Sequence, residues 1–245
     1  MEGIYYFHNP ITEKIADYLR SRSNFKSLNF IPVFEDNITI TTKDKGYFNN
    51  VNGRKAILIW GHGDDHDVSY FFSPGEPYFK SVDDAHDDLR NLEKWGISCC
   101  SHNTALLKND KNLRGLEVLG VTNRYCDHHD PGELKKEFGL NDIEFIRVRH
   151  GLKSAIPSGQ AVHKSIDLDV VGNYPCSSEY RMGVRTFEEV EQAFGKMLKE
   201  NDVIRFDVGG LRLAIPKKPS PEEFEGMKAY EKLIGMYLDG NTSMV

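Results

Sequence analysis

The chain has 245 residues, 39% of them hydrophobic and 28% charged, enough to bury a full core in one α/β domain. A formal net charge of -6 argues against nucleic-acid or membrane-surface partners, and no uninterrupted apolar stretch could span a bilayer. Cys99, Cys100, Cys126 and Cys176 show neither CxxC spacing nor a dense disulfide framework, and Met1 to His8 lacks the basic and apolar regions of a secretion signal, so a soluble cytoplasmic protein with reduced thiols is expected.

In chain order, Asn9-Pro10 opens a helix that places Ile11, Ile15 and Leu19 on one face. The segment Ile38–Asn52, rich in Thr, Lys and Asn, reads as a surface hairpin or loop. Short apolar runs predict strands at Ala56–Trp60, Tyr78–Val82, Leu116–Val121, Ile143–Val148, Val162–Val171 and Val203–Val208. Thr186-Phe187-Glu188-Glu189 is a capping box, followed by Val190, Phe194 and Met197 at helical spacing. Ser220-Pro221-Glu222-Glu223 opens a last helix with Phe224, Met227, Tyr230 and Ile234 on one side. Strands alternating with amphipathic segments predict a single-domain, three-layer α/β/α fold, residues 1–245, with a mainly parallel sheet.

Six potential metal ligands lie in three blocks, each at or just beyond the end of an apolar run: Gly63-Asp64-Asp65-His66, Asp84-Ala85-His86-Asp87-Asp88 and Ser165-Ile166-Asp167-Leu168-Asp169. In open α/β sheets, ligands collect at the carboxyl ends of parallel strands. In extended backbone alternate residues share a face, so Asp84/His86, His86/Asp88 and Asp167/Asp169 can each point the same way. Carboxylates packed together repel unless cations intervene. Two imidazoles and four carboxylates exceed what one tetrahedral zinc site needs and suit two adjacent Mn²⁺-like ions that share carboxylates. Any one block alone reads equally as a solvated acidic loop.

From about Ala56 to Val208 the sequence resembles the arginase/agmatinase (ureohydrolase) superfamily, whose pattern is Gly-Gly-x-His, then Asp-Ala-His-x-Asp, then Ser-x-Asp-x-Asp. The second and third motifs are complete, and the first is degenerate. The resemblance implies two Mn²⁺ ions, His66 and Asp88 on one, His86 and Asp169 on the other, with Asp84 and Asp167 bridging. Gly172-Asn173-Tyr174-Pro175 stands where the family often continues to Asp-Pro, so an outer contact is missing.

Catalysis also needs proton delivery to the leaving amine. His102 lies at about the distance after the second block where arginases carry a shuttling histidine, which makes His102 and the ligand Asp88 the candidate catalytic residues; His128 and His129 are fallback shuttles. His62, His150 and His163 have no motif support and read as structural or solvent-facing. Asp207, near the end of Asp202–Val208, occupies the place of the family's guanidinium-facing acid, or else pairs with Arg205 or Arg212. Asp130 and Glu133 match the arginase Asp-Pro-Gly-Glu segment that holds an α-amino group, although Asp-Pro-Gly is also a common turn. Arg90 replaces an amino-acid-binding Asn, which points to arginine inside a peptide, as in the peptide-arginase branch, with ornithine and urea as products.

Two other readings compete. A mononuclear zinc deacetylase-like amidohydrolase would leave His66 and Asp88 without ligand roles, and a non-catalytic metal-binding module would lack a proton shuttle. The partner in the first reading is a guanidino substrate, including a precursor peptide; assembly into a homo-oligomer is left open.

Overall fold

The computed structural model describes residues 3–35, 55–61, 65–122, 131–175, 183–211, 213 and 219–242. Eight strands form one sheet in which every pairing is parallel: β1 Ile4–His8, β2 Phe30–Glu35, β3 Ala56–Ile59, β4 Tyr78–Asp83, β5 Leu113–Leu119, β6 Phe145–Arg149, β7 Ala161–Asp167 and β8 Asp202–Gly209. Their spatial order is β2-β1-β3-β8-β7-β4-β5-β6. Seven helices accompany them among the described residues: α1 Pro10–Arg20, α2 Val68–Phe71, α3 Leu92–Trp95, α4 His102–Asn109, α5 Pro131–Glu137, α6 Phe187–Glu200 and α7 Pro221–Thr242.

The caps read from sequence hold the helices in place. The Asn9 side chain accepts from the backbone N–H groups of Ile11 (3.0 Å) and Thr12 (2.9 Å), which closes the start of α1. Thr186 and Glu189 bond reciprocally at the start of α6, and Ser220 and Glu223 do so at α7. Glu223 also pairs with Lys14 at 3.0 Å, which ties α7 to α1.

The central strands are buried on both faces. Ile15, Leu19, Phe194, Met227 and Tyr230 cover one side of the sheet, while Tyr70, Ala105, Leu106 and Leu134 cover the other. Full burial of a large apolar side chain contributes roughly 1.5–3 kcal/mol. Those gains offset the cost of the charged groups this sheet also encloses: Lys80, Asp83, Lys164 and Asp207 are at most 2% exposed.

Two strands escape the sequence reading. β1, Ile4-Tyr5-Tyr6-Phe7-His8, is a short apolar run pressed against the α1 cap, and β2 contains Pro32. Proline removes a ladder donor and argues against a central strand, and the structure accommodates it by placing β2 at the sheet edge. The predicted strand Val162–Val171 stops at Asp167, where the chain turns into a 3₁₀ segment at Leu168–Val170. The expected hairpin at Ile38–Asn52 lies outside the described residues. No described helix is long and apolar enough to cross a membrane.

Candidate metal centre

Because all strands run the same way, their carboxyl ends gather at one edge of the sheet. Asp83 at the end of β4 is level with Ile166 of β7, and Asp167 is level with Gly209 of β8, so Asp84, Asp167 and Asp169 emerge side by side. The turn after β3 brings in His66, 1% exposed and stacked on Trp60 with ring centroids 4.4 Å apart. All six ligands expected from the sequence meet here.

Asp84 occupies the middle. Its Oδ2 lies 3.1 Å from His66 Nδ1 and its Oδ1 lies 3.4 Å from His86 Nδ1, so its two oxygens face two different imidazoles. His66 Nδ1 also lies 3.4 Å from Asp88 Oδ2 and 3.7 Å from Asp167 Oδ2, whereas His86 Nδ1 is 2.9 Å from Asp169 Oδ2. Ligand atoms of His66, Asp84 and Asp167 form one group within 4.8 Å, and those of Asp84, His86 and Asp169 form another.

Backbone features hold this arrangement. Asp88 has φ 50°, a left-handed conformation in which a non-glycine residue is strained. Gly210 has φ 92°, and a Cβ there would stand 2.1 Å from Asp167 Oδ1. The Asp169 backbone N–H donates to Asp167 Oδ1 at 3.0 Å, and that of Ala85 donates to Asp169 Oδ1 at 3.0 Å, which fixes the free oxygens toward the centre.

The donor set fits divalent cations, and a hydrogen-bond relay shows why. Ser165 Oγ donates its single proton to Asp207, so it must accept from His66 Nε2, 3.0 Å away. His66 therefore turns an Nδ1 lone pair on carboxylate oxygens, and two lone-pair bearers at 3.1 Å need a positive charge between them. Protons take that role when no metal does. Burial pulls the His66 imidazole down, but hydrogen bonds to Asp84 and Asp88 raise it well above its usual range. The same opposition, with Asp169 and Asp84 as partners, lifts His86 to about 12. Burial and the neighbouring Asp84 raise Asp169 to about 6, and burial together with adjacent carboxylates raises Asp88 and Asp167 well above the usual carboxylate range. Asp84 alone is held low, because the two histidines outweigh its burial. Buried carboxylates forced to hold protons are what bound cations would relieve.

The remaining candidates fall in different places. His102, the first residue of α4, is completely buried: Nδ1 is 3.1 Å from the Cys99 carbonyl and 3.5 Å from Asp88 Oδ2, and its ring centroid lies 4.3 Å from that of His66. Asp207 corrects the sequence expectation. It is 0% exposed, and both oxygens are taken: Oδ1 by Trp60 Nε1 (3.0 Å) and Ser165, Oδ2 by Ser69 (2.9 Å), His163 Nε2 (2.6 Å) and Lys80 (3.3 Å). A carboxylate so enclosed has no oxygen left to meet a guanidinium, and its pairing with Arg205 is replaced by pairing with Lys80. Its place is beneath the ligands, where it orients His66 through Ser165. Glu133 is exposed on α5; Asp130, His128 and His129 lie outside the described residues. Arg90 stacks on Trp95, 4.3 Å from the ring centroid.

Sequence reasoning gives no supporting role to Trp60, Ser69 or Lys80, takes Ser165 only as part of the third block, and leaves His163 as structural or solvent-facing, of which the structure shows the structural alternative. The available signal was a lysine or histidine at an inward position of a strand otherwise buried on both faces, as at Lys80 in β4 and His163 in β7.

No protein-family model matches the chain, and no curated sequence matches it. Solved structures do. The chain superposes on a formimidoylglutamase from Bacillus subtilis with TM-score 0.65 and 14% identity, covering 97% of this chain and 86% of that one. An arginase from Bacillus subtilis gives TM-score 0.65 and 14% identity over 95% and 98% of the two chains. An agmatine ureohydrolase of Thermoplasma volcanium gives 0.58 and 15% over 100% and 93%. The chain has the arginase-type α/β fold.

Proposed function

We propose that this protein is a binuclear metal-dependent hydrolase that cleaves a guanidino C–N bond, releasing urea and leaving an amine. One observation carries the reading: Asp84 presents one oxygen toward His66 and the other toward His86 at the carboxyl edge of an arginase-type sheet. His66, Asp84, Asp88 and Asp167 would hold one ion, and Asp84, His86, Asp167 and Asp169 the other, with Mn²⁺ suited to such mixed N/O ligands. A mononuclear deacetylase-like site is less well supported, because His66 and Asp88 have a joint place in the cluster.

Cations held by these residues would lower the pKa of a bound water and so supply hydroxide at neutral pH. The chain's own residues set the conditions. Asp84 and Asp167 fix the spacing, Asp88 is locked by its backbone, and the Asp207–Ser165–His66 relay keeps the imidazole in the ligating tautomer. Addition of hydroxide to the guanidino carbon and rupture of its bond to the chain nitrogen yields urea, and that nitrogen leaves as an amine once it gains a proton.

The substrate we favour is arginine within a peptide, converted to ornithine. Arg90, stacked on Trp95 where free-arginine enzymes of the resembled family carry an Asn, supports it. The cytoplasm is the proposed setting. Protein loaded with Mn²⁺ should be offered free arginine, agmatine, an arginine peptide and an acetyl-lysine peptide, with urea quantified and peptide masses recorded. The reading expects urea and an ornithine-containing peptide, with higher kcat/KM on the peptide than on free arginine. Efficient hydrolysis of free arginine with an untouched peptide removes the peptide assignment; deacetylation without urea removes both.

A further inference from the structure

Cys99 and Cys100 stand side by side at the two central positions of a tight turn. The Ser101 N–H donates to the Ser98 carbonyl at 3.0 Å, which closes the turn and leaves the two thiols half-buried with their Sγ atoms 3.5 Å apart. The Ser101 hydroxyl braces it from within, accepting from the Ser98 N–H at 3.0 Å and donating to the Gly96 carbonyl. A bond between the sulfurs has a length of about 2.05 Å, so each has to move by less than about 1 Å to form it.

The turn is tied to the candidate centre through its backbone. The peptide group between the two cysteines lies inside the ring that a disulfide would close, and its oxygen is the Cys99 carbonyl that accepts from His102 Nδ1 at 3.1 Å. The Cys100 carbonyl accepts from the Arg90 N–H at 3.1 Å, two residues beyond Asp88, and so anchors the far side of the pair. Consecutive Cα atoms are about 3.8 Å apart, short of the roughly 4.4–6.8 Å that disulfides usually span, so closing the ring has to twist the enclosed peptide group. The Cys99 carbonyl turns with it. His102 Nδ1 then loses this acceptor and is left with Asp88 Oδ2, 3.5 Å away. A strained disulfide is also the readily reduced kind, which makes the change reversible.

We propose that Cys99 and Cys100 are a modification site, closed by a peroxide oxidant into a reversible disulfide between adjacent residues that repositions His102. One thiolate attacks a peroxide oxygen and breaks the O–O bond, giving a sulfenic acid and a hydroxide that takes up the thiol's proton as water. The neighbouring thiol then displaces the sulfenic hydroxyl, which leaves as a second water as the S–S bond forms. Each sulfur gives up one electron and the peroxide takes both. Small thiols reverse the step by exchange. The inference rests on this turn and its contact with His102, not on the reaction proposed above.

The test uses Mn²⁺-loaded protein treated with equimolar hydrogen peroxide, alkylated without reduction and cut with trypsin, which releases both cysteines and His102 in one peptide, Trp95 to Lys108. That peptide should be two hydrogens lighter than the dithiol form and carry no alkyl group, and dithiothreitol should restore it. Two alkylated thiols, a sulfinic acid on either cysteine, or a cross-link to Cys126 or Cys176 overturns the proposal. Exchange of the His102 ring C2 hydrogen for deuterium, read on the same peptide, should change in rate on oxidation and return on reduction. An internal cross-link with that rate unchanged refutes the repositioning. Cys100→Ser removes one sulfur and keeps the Cys99 carbonyl, so peroxide should leave its His102 exchange rate unaltered; a change as large as in the wild type would place the oxidation elsewhere and overturn the proposal. Where turnover depends on His102, urea release should fall by up to the roughly 10²–10⁴-fold that general acid–base catalysis contributes, and recover with dithiothreitol. The cross-link and altered exchange without urea from any guanidino compound would leave this inference standing and defeat the proposed reaction; urea from protein that forms no such cross-link would do the reverse.

Discussion

Replacing Asp207 by Asn should damage stability and leave substrate recognition largely untouched. The Asp207 carboxylate accepts from five donors while fully buried, and Lys80, also 0% exposed, has it as ion-pair partner at 3.3 Å. Asp207→Asn keeps the shape, removes the charge and sets an amide N–H₂ among converging donors. Breaking a buried pair by removing one partner costs roughly 3–5 kcal/mol, because the other charge is left uncompensated. For a chain of this length each kcal/mol lowers Tm by about 2–4 °C, which gives a drop of about 6–20 °C in metal-loaded protein. The pH dependence identifies the cause. Burial already holds Lys80 down at about 8 despite the neighbouring Asp207 charge, and without that charge it falls further. At pH 9 Lys80 is therefore mostly neutral in both folded proteins, so the gap in Tm between wild type and variant should be smaller at pH 9 than at pH 7. Adding Lys80→Met to the variant should recover part of the loss, a coupling that thermal unfolding of the single and double variants measures directly. A Tm within 2 °C of wild type, combined with a raised KM for a guanidino substrate, would refute the reasoning and return Asp207 to the substrate pocket.

The ligands should differ in how many ions depend on them: Asp84→Ala should abolish binding of both metals, whereas Asp88→Ala should leave one, as metal analysis after dialysis would show. Metal removal should matter more as pH rises. In metal-free protein His86 is lifted to about 12 and His66 is raised well above the unfolded imidazole, about 6.5, by neighbouring carboxylates, so the folded state holds imidazole protons that the unfolded chain releases; it therefore loses stability as pH rises from about 6.5 to 8, and the gain in Tm on adding Mn²⁺ should grow over that interval. A gain that shrinks toward pH 8 would contradict the assignment of these groups as ligands. Gly210→Ala should lower both Tm and metal content, since its Cβ would overlap Asp167 Oδ1 and its φ of 92° is strained for alanine; unchanged metal affinity measured by chelator competition would show that Asp167 does not need this approach.

The local features of this protein were legible in its sequence. Asn9-Pro10, Thr186 to Glu189 and Ser220 to Glu223 announce helix starts because capping is chemistry between residues two or three apart. Six of the eight strands show as apolar runs, and the three ligand blocks show because each is a short pattern at the end of such a run. β1 and β2 do not show, since a five-residue run beside a helix cap and a strand with an internal proline become strands only through their partners in the sheet. The support of the centre is likewise a product of tertiary contact. Lys80, His163 and Asp207 are far apart in sequence, and nothing local in the chain distinguishes a carboxylate that faces a substrate from one that neutralises a buried ammonium. That distinction, like the burial of His102 against His66, is decided by which strands lie next to each other and which helix closes over them, because charge partners and solvent access are properties of the packed structure rather than of the residue.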